Sequence, residues 1–236
     1  MPTTNEEYHL GELALALDPS DSRRITPPPR PASATVLDIG CGAGQTLIAA
    51  YPDRVSYGLD IDVGALALGG RLTKRVRFSR GRAEDLPYSD AQFDLVISRV
   101  ALPYTNFQRS LKEIRRVLKP GGGLWITLHS FSMVVRNLNL RRPRTYVSFA
   151  YVAANSLLFH CFQRQFSLLG KCESFQTMRG VRRVLEENGF GGIEISHGRH
   201  FVVEGRVPGV VPPREDTAGL GASDGPAVFV GRGSEA

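Results

Sequence analysis

The sequence predicts an α/β fold organised around a parallel sheet, and two observations carry that prediction. The first is a short apolar run, Val36-Leu37-Asp38-Ile39, that breaks into three alternate glycines, Gly40, Gly42 and Gly44. The chain then resumes as Leu47-Ile48-Ala49-Ala50, which suits a helix. A buried parallel strand passes into its helix in this way. The second is alternation: further short apolar runs at 54–60, 76–80, 92–98 and 124–128 are separated by segments with helical spacing. Glycines in the first turn permit positive φ and leave no Cβ between the backbone and a bound molecule. The following helix start adds free N–H groups and a positive dipole end.

The glycine spacing narrows the ligand. A dinucleotide fingerprint runs G-x-G-x-x-G. Here the third glycine arrives one residue early, at Gly44, and Gln45 stands where the last should be. That spacing opposes a nicotinamide-dependent oxidoreductase. With Asp38 ahead of the turn, the pattern resembles motif I of the class I S-adenosylmethionine (SAM)-dependent methyltransferases.

Taken in order, residues 6–17 predict a first helix, ended by Asp18-Pro19. The linker Thr26-Pro27-Pro28-Pro29-Arg30-Pro31 is extended. In the family that the motif resembles, a helix here can cover the cofactor, which would bring Tyr8 and His9 to the site. The second strand, from Arg54, closes on Asp60, where an acid can accept both hydroxyls of a ribose. Asp62 reads as the cap of a helix over Val63 to Leu72. A third, basic strand at 76–80 leads into Arg82-Ala83-Glu84-Asp85-Leu86-Pro87, which looks like the family's adenine segment. Arg82 departs from it, because Asp or Asn is usual there and a guanidinium cannot accept from the adenine amino group. The fourth strand, Gln92 to Ser98, resembles the family's central strand. Its end at Ser98-Arg99 is implied to lie beside the methionine moiety. An amphipathic helix from Phe107 to Leu118 and the glycines 121–123 lead to a fifth strand, Leu124 to Leu128.

The resemblance covers residues 35–129. It implies a Rossmann-like, seven-stranded, mostly parallel sheet with an antiparallel last strand and helices on both faces. It implies S-adenosyl-L-methionine as cofactor, held by Asp38, Gly40, Cys41, Gly42, Gly44, Asp60, Ile61, Arg82, Ala83, Glu84, Ser98 and Arg99. Residues 1–34 form an N-terminal helix and linker, 35–206 the domain, and 207–236 a Gly/Pro-rich tail expected to be disordered or loosely packed. Residues 130–170 follow no core pattern and read as a helical insertion that lids the acceptor pocket. The alternative is a helix resting on a membrane surface. A helix over Thr177 to Asn188 and two strands near 192–204 finish the domain.

The composition fits an ordinary globular chain, with 42% hydrophobic and 22% charged residues. The formal charge of +6 rests almost wholly on arginine and permits RNA as a partner on charge alone. Three cysteines without metal spacing suggest reduced thiols and a cytoplasmic location. No metal and no transmembrane segment is implied. Methyl transfer needs acceptor, methyl and sulfur held in line. A protic acceptor also needs a base, for which His129, Tyr104 and His160 stand near the right strand ends. The acceptor stays open among small metabolites, lipid or quinone-like molecules, glycan intermediates and RNA. A SAM-binding partner subunit without turnover has the same signature.

Overall fold

The computed structural model describes residues 4–128, 143–167, 172–198 and 200–209. Seven strands form one sheet: β1 (Val36–Ile39), β2 (Ser56–Asp60), β3 (Val76–Arg80), β4 (Phe93–Arg99), β5 (Leu118–Leu128), β6 (Gly191–His197) and β7 (Phe201–Arg206). Their order is β3-β2-β1-β4-β5-β7-β6. β1 to β5 pair in parallel, and β7 runs antiparallel between β5 and β6. The helices are α1 (Asn5–Leu17), α2 (Gln45–Ala50), α3 (Val63–Leu72), α4 (Phe107–Val117), α5 (Pro143–Phe162) and α6 (Met178–Glu187). A 3-10 turn at Leu102–Tyr104 precedes α4. The expected mostly parallel sheet with its antiparallel strand is therefore the observed one.

Local chemistry sets each boundary. Thr4 caps α1 through a reciprocal box with Glu7. Asp62 accepts from the Gly64 and Ala65 N–H groups and starts α3 as expected. Asn106 and Thr177 do the same for α4 and α6. In α4 the residues at helical spacing, Phe107, Leu111, Ile114 and Val117, are all fully buried against the sheet. They join Phe93, Val96 and Ile126 in the main core. The proline linker is fastened to the body, because Tyr51 Oη donates to the Pro28 carbonyl at 2.8 Å and Arg54 to the carbonyls of Arg30 and Pro31.

Two expected strand starts shift. β2 begins at Ser56, since Arg54 is spent on the linker. β5 begins at Leu118, six residues before the expected start. The glycine run does not simply end α4, because its backbone continues the ladder, pairing with β4 and, through Gly121 and Gly122, with Val207. Val207 is in turn fully buried. β7 starts at Phe201, after the Gly198 N–H closes the preceding turn on the His200 carbonyl. Residues 210–236 of the expected tail lie outside the described residues, as do the arginines at 136, 141 and 142.

Candidate functional site

The C-terminal ends of β1, β2 and β4 converge, as expected for a ligand site in an open parallel sheet. Gly40, Gly42 and Gly44 all have left-handed φ, at 74°, 55° and 81°. Each also faces a close neighbour. A Cβ on Gly40 would stand 2.1 Å from Ala101 Cβ, and one on Gly42 would stand 2.9 Å from His9 Cε1. The turn is drawn onto β2 by its N–H groups: Gly40 and Cys41 donate to the Leu59 carbonyl, and Gly42 donates to Asp60 Oδ2 at 2.8 Å. Asp60 Oδ1 accepts from Asp62 N–H. Asp60 is therefore aimed along the edge of the turn, with lone pairs remaining on both oxygens. The exposed Ile61 follows it as an apolar shelf.

Asp38 lies at the base of this turn, 1% exposed, and its Oδ1 has no hydrogen-bond partner among the described residues. Burial pushes its carboxyl up to about 7, with Arg99 pulling the other way and Asp60 adding to the rise. A buried carboxyl without a partner marks a place for a donor or cation. The neighbouring Cys41 thiol is driven well above its usual value by burial and by Asp38, so it does not act as a nucleophile.

At the end of β4 the Ser98 hydroxyl donates to the Ile39 carbonyl at 2.8 Å and is fully buried. Its role is to tie β4 to β1, and its neighbour Arg99 is the group that faces the site. Val100 adopts φ 60°, a conformation that costs a β-branched residue energy and turns the chain sharply after Arg99. On the adenine-like segment Ala83 is buried, while the Arg82 side chain is largely exposed and lies 3.6 Å from Glu84. Glu84 accepts from the Asn106 N–H, so it braces the start of α4.

The structure adds residues that spacing alone did not mark. α1 crosses the open ends of β1, β2 and β4, held by four polar contacts. Asn5 bonds Asp62 at 2.8 Å, Glu6 pairs with Arg71 at 2.9 Å, His9 accepts from Gln45 at 2.8 Å, and Glu12 pairs with Arg99. His9 packs against Gly42 of the turn, and Tyr8 stands edge-on to His9 and is largely exposed. Gln45 has a use there as well: it is the anchor for the helix that lies over the glycines. No local motif announces Glu12 or Asn5, since their partners are 87 and 57 residues away.

The three candidate bases separate. His129 lies outside the described residues. Tyr104, in the 3-10 turn, is pushed up by burial, with Glu173 and Tyr8 adding to the rise, so it stays protonated at neutral pH. It is a donor, not a base. His160 Nδ1 lies 2.8 Å from Thr177 Oγ1, the cap of α6, and joins α5 to that helix.

The comparisons with known proteins agree with this geometry. Residues 37–126 match the family model described as a methyltransferase domain. Over these residues the chain carries a methyltransferase domain. Two curated relatives show its range. A demethylmenaquinone methyltransferase of Symbiobacterium thermophilum is 39% identical over 98 residues, covering 37% of this chain and 39% of its own. A phthiotriol/phenolphthiotriol dimycocerosates methyltransferase of Mycobacterium tuberculosis is 41% identical over 98 residues, covering 37% of this chain and 34% of its own. The chain thus spans under half the length of these curated relatives. A solved SAM-dependent methyltransferase from Methanosarcina mazei has the same fold, with TM-score 0.52 and 19% identity, covering 78% of this chain and all of that one.

Proposed function

We propose that the protein transfers the methyl group of S-adenosylmethionine to a small, lipid-like or quinone-like acceptor. The observation that carries the reading is the convergence at one sheet edge of three left-handed glycines, the aimed Asp60 carboxylate and the unpartnered Asp38. These residues fit the cofactor. Asp60 would hold the ribose hydroxyls and Ile61 and Ala83 the adenine faces. Asp38 would meet the ammonium of the methionine moiety, and Arg99 its carboxylate. The cofactor supplies an electrophilic methyl on a sulfonium. The chain's own contribution is positional: the sheet edge fixes the site, α1 excludes water, and the acceptor approaches past Arg99 and Tyr104. Tyr104, as a donor, orients an acceptor oxygen. The acceptor class is supported by the two relatives named for a menaquinone precursor and for dimycocerosates. Support also comes from the aromatic groups Tyr8 and Tyr104 at the mouth of the site. The free Cys41, Cys161 and Cys172 agree with a reducing, cytoplasmic setting.

The test is calorimetric titration with S-adenosylhomocysteine, run beside NAD. Micromolar binding of the first and none of the second is expected. Asp60→Ala should weaken the first by about a hundredfold, the scale of two charge-assisted hydrogen bonds. Equal affinity in the variant would show that the ribose is held elsewhere. Binding without turnover on any quinone, phenol or lipid acceptor would point instead to a non-catalytic partner subunit.

A further inference from the structure

The burial of α5 is inverted. Its inward face carries Asn155, Ser156 and, just past its end, Gln163, all buried, beside Val152 and Phe159. Hydrogen bonds satisfy these polar groups: Gln163 Nε2 donates back to the α5 carbonyls of Phe159 and His160, while Asn155 and Ser156 bond the segment that follows the helix. The Asn155 amide spans the Phe166 and Glu173 carbonyls and accepts from the Phe166 N–H. Ser156 Oγ accepts from the Phe175 N–H at 2.7 Å. Phe159 packs edge-on against Phe107 with ring centroids 5.3 Å apart. The helix is therefore firmly placed, yet its outward face is apolar. Val147 is 71% exposed, Leu157 64% and Phe162 65%. A soluble helix normally shows the opposite arrangement.

The exposed face runs from Tyr146 to Phe162, about 24 Å at ~1.5 Å per residue. From Thr145 to Gln163 the sequence has no Asp, Glu, Lys or Arg. A coiled-coil seam with a second copy would be narrower and flanked by charged residues. Here the exposed residues described from Tyr146 to Phe162 are uncharged, and an arginine follows at the C-terminal end. Arg164 follows the helix and is exposed. Arg179 is exposed too, beside the 52% exposed Met178, and Thr177 just before them touches His160 of α5. A broad apolar face with arginines at its margin matches a bilayer whose surface is anionic. No helix among the described residues is long and apolar enough to cross a membrane.

We infer that α5 is a docking helix that rests in the interface of an anionic membrane, its Val147–Leu157–Phe162 face sunk among the acyl chains and Arg164 and Arg179 on the head groups. The inference does not depend on the methyl-transfer reading and is tested without cofactor.

The experiment is cosedimentation of the full chain with phosphatidylcholine vesicles, with and without phosphatidylglycerol. The native Cys161 serves as a reporter, since it is the exposed thiol on this face while Cys41 and Cys172 are buried. The protein should sediment with the anionic vesicles, and they should slow maleimide labelling of Cys161. Leu157→Asp with Phe162→Asp should weaken partition by about tenfold or more, with an unchanged circular dichroism melt. Arg164→Glu with Arg179→Glu should remove the preference for phosphatidylglycerol by about tenfold. A folded wild-type chain that ignores both vesicles overturns the inference. So does a dimer that Leu157→Asp dissociates, which would make a second copy the occupant. Cys161 refractory to maleimide in the vesicle-free protein also overturns it, because the chain's own tail would then cover the face.

Discussion

Two helices, α1 and α5, are attached to the body in opposite ways. α1 lies over the glycine turn on polar contacts: Asn5–Asp62, Glu6–Arg71, His9–Gln45 and Glu12–Arg99. It buries only His9 and Ala16. α5 is fixed by a fully buried phenylalanine and by amide and hydroxyl groups bonded to backbone. Exposed ion pairs are worth ~0.2–1 kcal/mol each. A buried phenylalanine is worth ~3–5 kcal/mol when truncated to alanine. The difference shows which element can open. α1 has a weak, many-point attachment, which suits the cover of the proposed cofactor site, while α5 belongs to the frame.

The largest effect should come from the point where the cover meets the turn. A side chain at Gly42 is opposed twice, by φ of 55° and by His9 Cε1 at 2.9 Å. Gly42→Val should abolish measurable S-adenosylhomocysteine binding, a loss of more than about a hundredfold, by filling the space the ligand and α1 share. The strain of ~1–2 kcal/mol in a left-handed position should lower the melting temperature by only a few degrees. If the variant bound normally, the turn would not be the cradle.

A tenfold effect should come from Asp38, beneath the turn and out of reach of either helix. Its carboxyl is raised from 3.8 to about 7. Below about pH 4 it is protonated in the folded and unfolded chains alike, and it costs the fold nothing. Between about pH 4 and 7 the unfolded chain gives up the proton and the folded chain keeps it. The ligand-free protein therefore loses stability as pH rises, by up to ~1.4 kcal/mol per unit and ~4 kcal/mol in all. Above 7 the loss is complete. A ligand ammonium that pairs with ionised Asp38 reverses the trend for binding. Affinity for S-adenosylhomocysteine should rise about tenfold from pH 6 to pH 8, with proton release at pH 6 measurable by calorimetry in two buffers. Asp38→Asn should flatten both profiles. A pH-independent affinity in the wild type would mean that the ammonium lies elsewhere.

The comparison also explains what was legible in the sequence. The cofactor edge depends on backbone, and backbone demands leave local marks: glycines where φ is positive, an acid at a strand end, Asp62 two residues beyond Asp60 as a cap. Those marks carry the parallel strand-turn-helix unit, the turn and the α3 boundary. The covers depend on side-chain pairs far apart in sequence, so Glu12 and Arg99 carry no joint signal. Gln45 showed only as a missing glycine, though it holds His9. Ser98 stands at the strand end that the resemblance marks, and nothing local shows that its hydroxyl bonds the Ile39 carbonyl inside the sheet. The insertion reads as a lid or a membrane-surface helix because it follows no core pattern and holds a long, weakly polar stretch. Which residues face inward depends on Asn155 and Ser156 finding backbone partners in the following segment, and no periodicity reveals that.

The smallest effect should separate the two helices most cleanly. Glu12 and Arg99 are both partly buried, with side-chain exposures of 27% and 18%. Glu12→Gln keeps a hydrogen-bond acceptor and removes the charge, which should cost ~0.5–1 kcal/mol of attachment. Because α1 has little apolar burial, that cost should appear as local opening and leave the global melt almost unmoved. Amide exchange over residues 5–17 should quicken about two- to fivefold, while exchange over residues 150–162 stays the same. S-adenosylhomocysteine should also dissociate faster by a similar factor, since lifting α1 opens its exit. Exchange that rises equally in both helices would mean that α1 is as much a part of the frame as α5, and that a ligand reaches the glycine turn by another path.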